Sequence, residues 1–145
     1  MGAKKFFTKD EQNLIKHAIA KAELNTSGEV RVHIDNKCNG DVLDVAANQF
    51  KKLDMHKTEL RNGVLFYLSV SNRKFAILGD KGINEKVPAN FWDIIRDEMA
   101  IHFKQNNFVE GLSKGIAMAG EKLKIHFPYQ SNDINELSDE VSYGN

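Results

Sequence analysis

At 145 residues, 41% of them hydrophobic, the chain is large enough for one domain with a sizeable core. Twenty basic residues against twenty acidic ones leave no net field to hold nucleic acid or an anionic membrane surface. The single cysteine, Cys38, rules out an internal disulfide, and no CxxC or paired Cys/His spacing offers a zinc site, a pattern that fits a reducing compartment.

The residues Met1 to Phe7 turn polar at once, so they lack the apolar core of a signal peptide, and no later segment spans a bilayer. A cytoplasmic location is the expectation. Thr8 with Glu11 three residues on is a capping-box signature, and Leu14, Ile15, Ala18, Ile19 and Ala22 follow at helical spacing. A helix is predicted over roughly 8–24. Asn25 to Gly28 break it, and Glu29 to Asp35 alternate polar and apolar strictly, which predicts a strand with one polar face. Asp41 is placed to cap a second helix whose Val42, Val45, Ala46, Phe50 and Leu53 form an apolar stripe.

Near the middle, Arg61-Asn62 open the apolar run Gly63 to Val70, and Lys74 to Gly79 form a second run that ends at Asp80. Continuous apolar runs indicate strands covered on both faces. Strand, helix and strand make a right-handed parallel crossover, whereas Ser71-Asn72-Arg73 allow only an antiparallel return, so the sheet is mixed. Beyond a loop reaching Pro88, Phe91, Trp92, Ile94, Ile95, Met99 and Phe103 repeat at helical intervals. Asn107 with Glu110 suggests another cap, and Val109, Leu112, Ile116, Ala119 and Leu123 continue as a last long helix that Pro128 stops. A single domain is read over residues 1–128. The remainder, 129–145, carries four acids and no bases and is expected to be a mobile or loosely docked tail.

This topology brings the start of the first strand, the start of the second and the end of the third to one sheet edge. Glu29, Arg61, Asn62 and Asp80 should gather there, and Asp35, at the other end of its strand, should not. Asp93 and Asp97 lie four apart on the next long helix and so face the same way, placed to look back at Asp80. Four converging carboxylates repel unless a cation intervenes, and oxygen-only ligation suits calcium, with magnesium as the alternative. The bland reading stays open: Asp93 and Asp97 as a solvated helix face with Arg61 and Arg96 as surface partners, and Glu29 as an ordinary outward strand residue.

Other constellations carry less. The histidines His17, His33, His56, His102 and His126 are scattered, with no HxxxH or HExxH spacing, and are read as surface or packing residues. Cys38 lacks the Cys-x5-Arg cradle of cysteine phosphatases, Ser27-Gly28 is no nucleophile elbow, and there is no GxxxxGK[ST] loop. Trp92 beside Phe91 is read as core packing that reports on the nearby edge.

The pieces Thr26-Ser27-Gly28-Glu29, Arg61-Asn62-Gly63-Val64-Leu65, Gly79-Asp80-Lys81-Gly82-Ile83 and Phe103 through Gly111-Leu112 resemble, in order and spacing, the TPM-domain family of thylakoid-lumen, photosystem II repair and membrane-modulator proteins. The resemblance covers roughly residues 8–127. It implies an α/β fold built as a three-layer α/β/α sandwich, divalent-metal binding at an acidic cluster beside the Gly-Asp loop, and phosphatase activity on phosphomonoesters. Carried over residue by residue, it reaches Glu29, Asn62, Gly79 and Asp80 as metal-site residues. Asp93 and Asp97 join them on geometry. Asp80 and Arg61 are then the residues expected to act on a phosphoryl group, with Arg61 offsetting developing charge. The competing expectation is a non-catalytic module in which bound calcium steadies a loop that docks a protein partner.

Overall fold

The structure, a computed structural model, describes residues 3–129 and 141–144. Helix α1 (Lys9–Glu23) starts at the expected capping box: the Thr8 hydroxyl accepts from Glu11 N at 3.1 Å, and Glu11 Oε1 accepts from Thr8 N at 2.8 Å. Its Ile15, Ile19 and Ala22 are buried. Full burial of an isoleucine side chain contributes about 1.5–3 kcal/mol, so docking of this stripe, more than helix propensity, fixes α1 in place.

Strand β1 (Glu29–Asp35) has the bounds the alternation predicts, but its polar face is buried as well as its apolar one. Val30, Val32 and Ile34 join the main core, which also takes Val64, Phe66 and Leu68 of β2 (Gly63–Ser69). On that face lie α1, α4 (Asp93–Lys104) and α5 (Phe108–Leu123). Helix α2 (Val42–Lys52), capped by Asp41 through Leu43 N and Asp44 N, covers the other face, where Ala46 and Cys38 pack with Tyr67 of β2 and Ala76 of β3 (Lys74–Gly79). The result is a sheet between helical layers, as expected.

The sheet has four strands in the order β3-β2-β1-β4. β1 and β2 pair parallel and β2 and β3 antiparallel, which is the mixed arrangement the loop lengths demand. The fourth strand, β4 (Val141–Tyr143), comes from the acidic tail and pairs parallel with β1. Of the two expectations for the tail, mobile or loosely docked, its last strand takes the second, and residues 130–140 lie outside those described.

Two helical details depart from expectation. Asn107 occupies the cap position of α5, but its side chain makes no capping bond and reaches Gln105 instead. A short helix, α3 (Lys81–Asn84), follows Asp80, where a plain loop was expected. Helices α4 and α5 cross closely: a Cβ on Gly115 would sit 2.3 Å from Met99 Sδ, so glycine is what lets the two axes approach.

Candidate functional site

The rim at the start of β1 and β2 is assembled by backbone pairing. Glu29 lies opposite Gly63 in the parallel register, and Asp80 N donates to Gly63 O at 2.9 Å. Gly63 therefore sits between the two acidic residues, whose Cα atoms are about 10 Å apart at two strand spacings. Met55, from a 3-10 turn at Met55–Lys57, packs directly on Gly63; a Cβ there would be 2.9 Å from Met55 O.

Arg61 and Asn62 reach the rim through a tight turn. Arg61 N donates to Thr58 O at 3.2 Å, and Asn62 N donates to the Thr58 hydroxyl at 3.2 Å. The turn holds Arg61 at φ 51°, a left-handed conformation that costs a non-glycine residue about 1–2 kcal/mol. From there its guanidinium forks onto Asp80, with Nε donating to Oδ2 at 2.7 Å and Nη2 to Oδ1 at 2.9 Å. Asp80 Oδ1 also accepts from Lys81 N at 2.7 Å, capping α3.

The two segments interlock. Gly82 N donates to Arg61 O at 2.8 Å, and a Cβ at Gly82 would fall 2.1 Å from Leu60 O. Behind Asp80, Gly79 lies against Trp92, whose Cζ2 would be 2.7 Å from an added Cβ. The glycines of the Gly-Asp-Lys-Gly run thus mark where backbone or indole presses on the loop that carries Asp80.

Burial is unequal across the ion pair. Asp80 is 6% exposed, whereas the Arg61 side chain is 45% exposed, so the guanidinium lies over the carboxylate on its solvent side. Its hydrogen bonds to Asp80 raise the Arg61 pKa above an already high value, and the group stays protonated. Glu29 is also buried. Asn62 is 1% exposed, and its Nδ2 finds no hydrogen-bond partner among the described residues. A buried amide N–H left so costs about 1–3 kcal/mol and calls for a hydrogen-bond acceptor.

Asp93 and Asp97 are different. Both are exposed, and Asp93 is paired with Arg96 on the next helical turn. Among the described residues no group of three or more His, Cys, Asp or Glu side chains stands close enough to hold a metal ion. The polar side chains at the rim are the Asp80 carboxylate under the Arg61 guanidinium, the buried Glu29 and the buried Asn62 amide.

A second polar centre lies at the opposite end of β1, where sequence reasoning placed Asp35 outside the rim. His33 Nε2 pairs with Asp35 Oδ1 at 2.8 Å, Tyr67 donates to Asp35 Oδ2 at 2.6 Å, and His33 Nδ1 meets the Ser142 hydroxyl at 2.7 Å. Burial pushes the Asp35 carboxyl up, but the hydrogen bonds from His33 and Tyr67 outweigh it and leave the group below its ordinary value. Burial, with the neighbouring carboxylate, pushes the Tyr67 hydroxyl up, so it remains a donor. A cleft of about 420 Å³ beside it is lined by His33, Asp35, Gln49 and Lys52. The signal was present in part: residues two apart on a strand share a face, which pairs His33 with Asp35. Through both Asp35 oxygens and both His33 nitrogens this network joins β1, β2 and β4.

Comparison with known proteins places this architecture. Among solved structures, the BA42 protein of the psychrophilic bacterium Bizionia argentinensis is 46% identical, with a TM-score of 0.90 and 96% of each chain covered. The N-terminal domain of a P. gingivalis protein matches at a TM-score of 0.67 and 18% identity, covering 87% of this chain and 83% of that one. An N-terminal domain from Corynebacterium glutamicum matches at 0.64 and 11%, covering 93% and 79%. The last two share the fold alone. No curated protein matches. The model of the TPM domain matches residues 3–122, and the chain belongs to that family.

Proposed function

We propose that this TPM domain binds a divalent cation, calcium first and magnesium as the alternative, at the rim where Glu29, Asn62, Gly79 and Asp80 meet. The observation that carries the reading is the pair of buried carboxylates, Glu29 and Asp80, set on either side of Gly63 at one rim. An oxygen-only donor set in that position suits a hard cation and not zinc. Asp80, Glu29 and the Asn62 oxygen would hold the ion, and the Gly79 carbonyl already accepts from Asn84 Nδ2 at 2.9 Å, which steadies the loop. Asp93 and Asp97, exposed on α4, stand outside this set.

A bound cation would polarise a phosphoryl oxygen, and Arg61 supplies a second positive charge nearby, so phosphomonoester hydrolysis is the reaction class proposed. The second reading is a calcium-steadied protein-interaction module. It is favoured by the interlock of Asp80–Gly82 with Leu60–Asn62, which an ion would rigidify. Urea denaturation with calcium and with chelator tests the common claim. Calcium at 100 times its dissociation constant should add about 2.7 kcal/mol of stability, and Asp80→Asn should remove that gain. Equal stability with ion and with chelator contradicts both readings. If calcium stabilises, hydrolysis of a generic phosphomonoester separates them: metal-dependent turnover lost in Asp80→Asn supports catalysis, and no turnover supports the interaction module.

A further inference from the structure

At the far end of β1 from the rim, the sheet sets a hydroxyl, an imidazole and a carboxylate in one line. We infer that Ser142, His33 and Asp35 form an acyl-transfer site, with Ser142 as nucleophile and His33 as general base, that hydrolyses short-chain carboxylic esters. The site shares no residue with the rim and stands independently of it.

Strand pairing assembles the line. Ser142 is the register partner of His33 in the parallel pair of β1 and β4, and Asp35 follows His33 by two residues on the same strand face. The Ser142 hydroxyl lies 2.7 Å from His33 Nδ1, and His33 Nε2 lies 2.8 Å from Asp35 Oδ1. Tyr67 donates to Asp35 Oδ2 at 2.6 Å, and the carboxyl is held below its ordinary value. An ionised Asp35 can only accept, so Nε2 carries the ring proton and the neutral ring turns its Nδ1 lone pair to the hydroxyl. Ser142 then donates to Nδ1, since its other acceptor, Val32 O, is 3.4 Å away. A nucleophile bonded to a base that a third group orients is what acyl transfer requires, whichever ring nitrogen takes which part. Asp35 and Tyr67 position the ring.

The surroundings suit a small substrate. The cleft of about 420 Å³ is of small-ligand size and lies toward the C-terminal end of the parallel strands, where α/β folds place their ligands. Val45, Asn48, Gln49 and Lys52 line it from one face of α2, and Gly144 lines it from the end of β4. A side chain at Gly144 would close on the pair, because a Cβ there would fall 1.8 Å from Asp35 Oδ1 and 3.1 Å from His33 Nε2. Ser142 is only half-buried, on the edge strand. Its Oγ bonds to the ester carbonyl carbon as its proton passes to His33 Nδ1, and Lys52 supplies positive charge in the cleft for the developing oxyanion. The bond to the leaving alcohol breaks and the alcohol oxygen takes that proton. Water then attacks the acyl-serine by the same exchange, releasing the carboxylic acid and restoring Ser142.

Treatment of the full chain with a fluorophosphonate probe, read by intact-mass and peptide mass spectrometry, tests this. One adduct on Ser142 is expected, absent in Ser142→Ala and formed about 100-fold or more slowly in His33→Gln, within the range of general-base catalysis. Should His33→Gln loosen β4, Ser142→Cys keeps the comparison: a thiol activated by His33 should react with iodoacetamide about tenfold faster than free cysteine at neutral pH. No adduct on Ser142 in wild type, or a thiol in Ser142→Cys no faster than free cysteine, overturns the proposal. Para-nitrophenyl acetate should turn over in wild type and not in Ser142→Ala, and equal rates in the two, zero included, overturn the hydrolytic activity.

Discussion

Gly82→Ala tests whether the rim is held as a unit. The added Cβ would lie 2.1 Å from Leu60 O and 2.6 Å from Arg61 O, where side-chain carbons essentially never come within 3.0 Å. Both clashing atoms are backbone, so no side chain can rotate away, and one segment must shift by nearly an ångström. That shift breaks the Gly82 N to Arg61 O hydrogen bond and pulls Arg61 from its fork on Asp80. Overpacking costs about 1–3 kcal/mol and the lost hydrogen bond about 1 kcal/mol, against a gain of about 1 kcal/mol from replacing glycine by alanine in a helix. The net expectation is a loss of about 1–3 kcal/mol. With a urea slope of about 1–3 kcal/mol/M for a small domain, the midpoint should fall by roughly 1 M. Equilibrium urea unfolding followed by the single tryptophan, Trp92, reads this directly. A variant as stable as wild type would refute the interlock.

Two further substitutions probe the surroundings. Tyr67→Phe removes one of the two hydrogen bonds that hold the Asp35 carboxyl below its ordinary value, and should cost about 1–2 kcal/mol at neutral pH. A carboxyl depressed in the folded state stabilises above its unfolded value of about 3.9 and loses that contribution as pH falls through its folded value. The melting-temperature gap between wild type and Tyr67→Phe should therefore be widest near neutrality and narrow below about pH 4, whereas a constant gap would contradict the assignment. Gly79→Ala puts a Cβ 2.7 Å from Trp92 Cζ2, and the indole must tilt. A change in Trp92 emission with a loss of about 1 kcal/mol is expected, and an unchanged spectrum would show that the ring does not rest on Gly79.

Legibility in the sequence followed the range of the interactions. The capping box at Thr8 and Glu11 and the strand Glu29–Asp35 are local patterns, and both were readable within a residue or two. The Arg61–Asp80 pair was readable for a different reason: two strands joined by a short turn leave one possible pairing, and topology carried Asp80 back to the start of β2. Burial of the polar face of β1 was not readable, because alternation reports which residues share a face and not what covers it. β4 escaped for the same cause. It is three residues in an acidic tail, and its pairing with β1 is a contact across the whole chain. With β4 unseen, Ser142 had no place beside His33, and the buried network remained a scattered histidine and a distant aspartate. Asp93 shows the limit of helical spacing as a guide: four-residue periodicity aligned it with Asp97, yet its nearest opposite charge, Arg96, lies on its own helix.

The central claim is that Glu29, Asn62 and Asp80 form a cation site, and amide NMR during a calcium titration of the wild-type chain tests it most directly. The expected result is saturable shifts centred on Glu29, Asn62 and Gly79–Lys81, fading along α4. Shifts confined to other parts of the molecule, or none at millimolar calcium and magnesium, would contradict it.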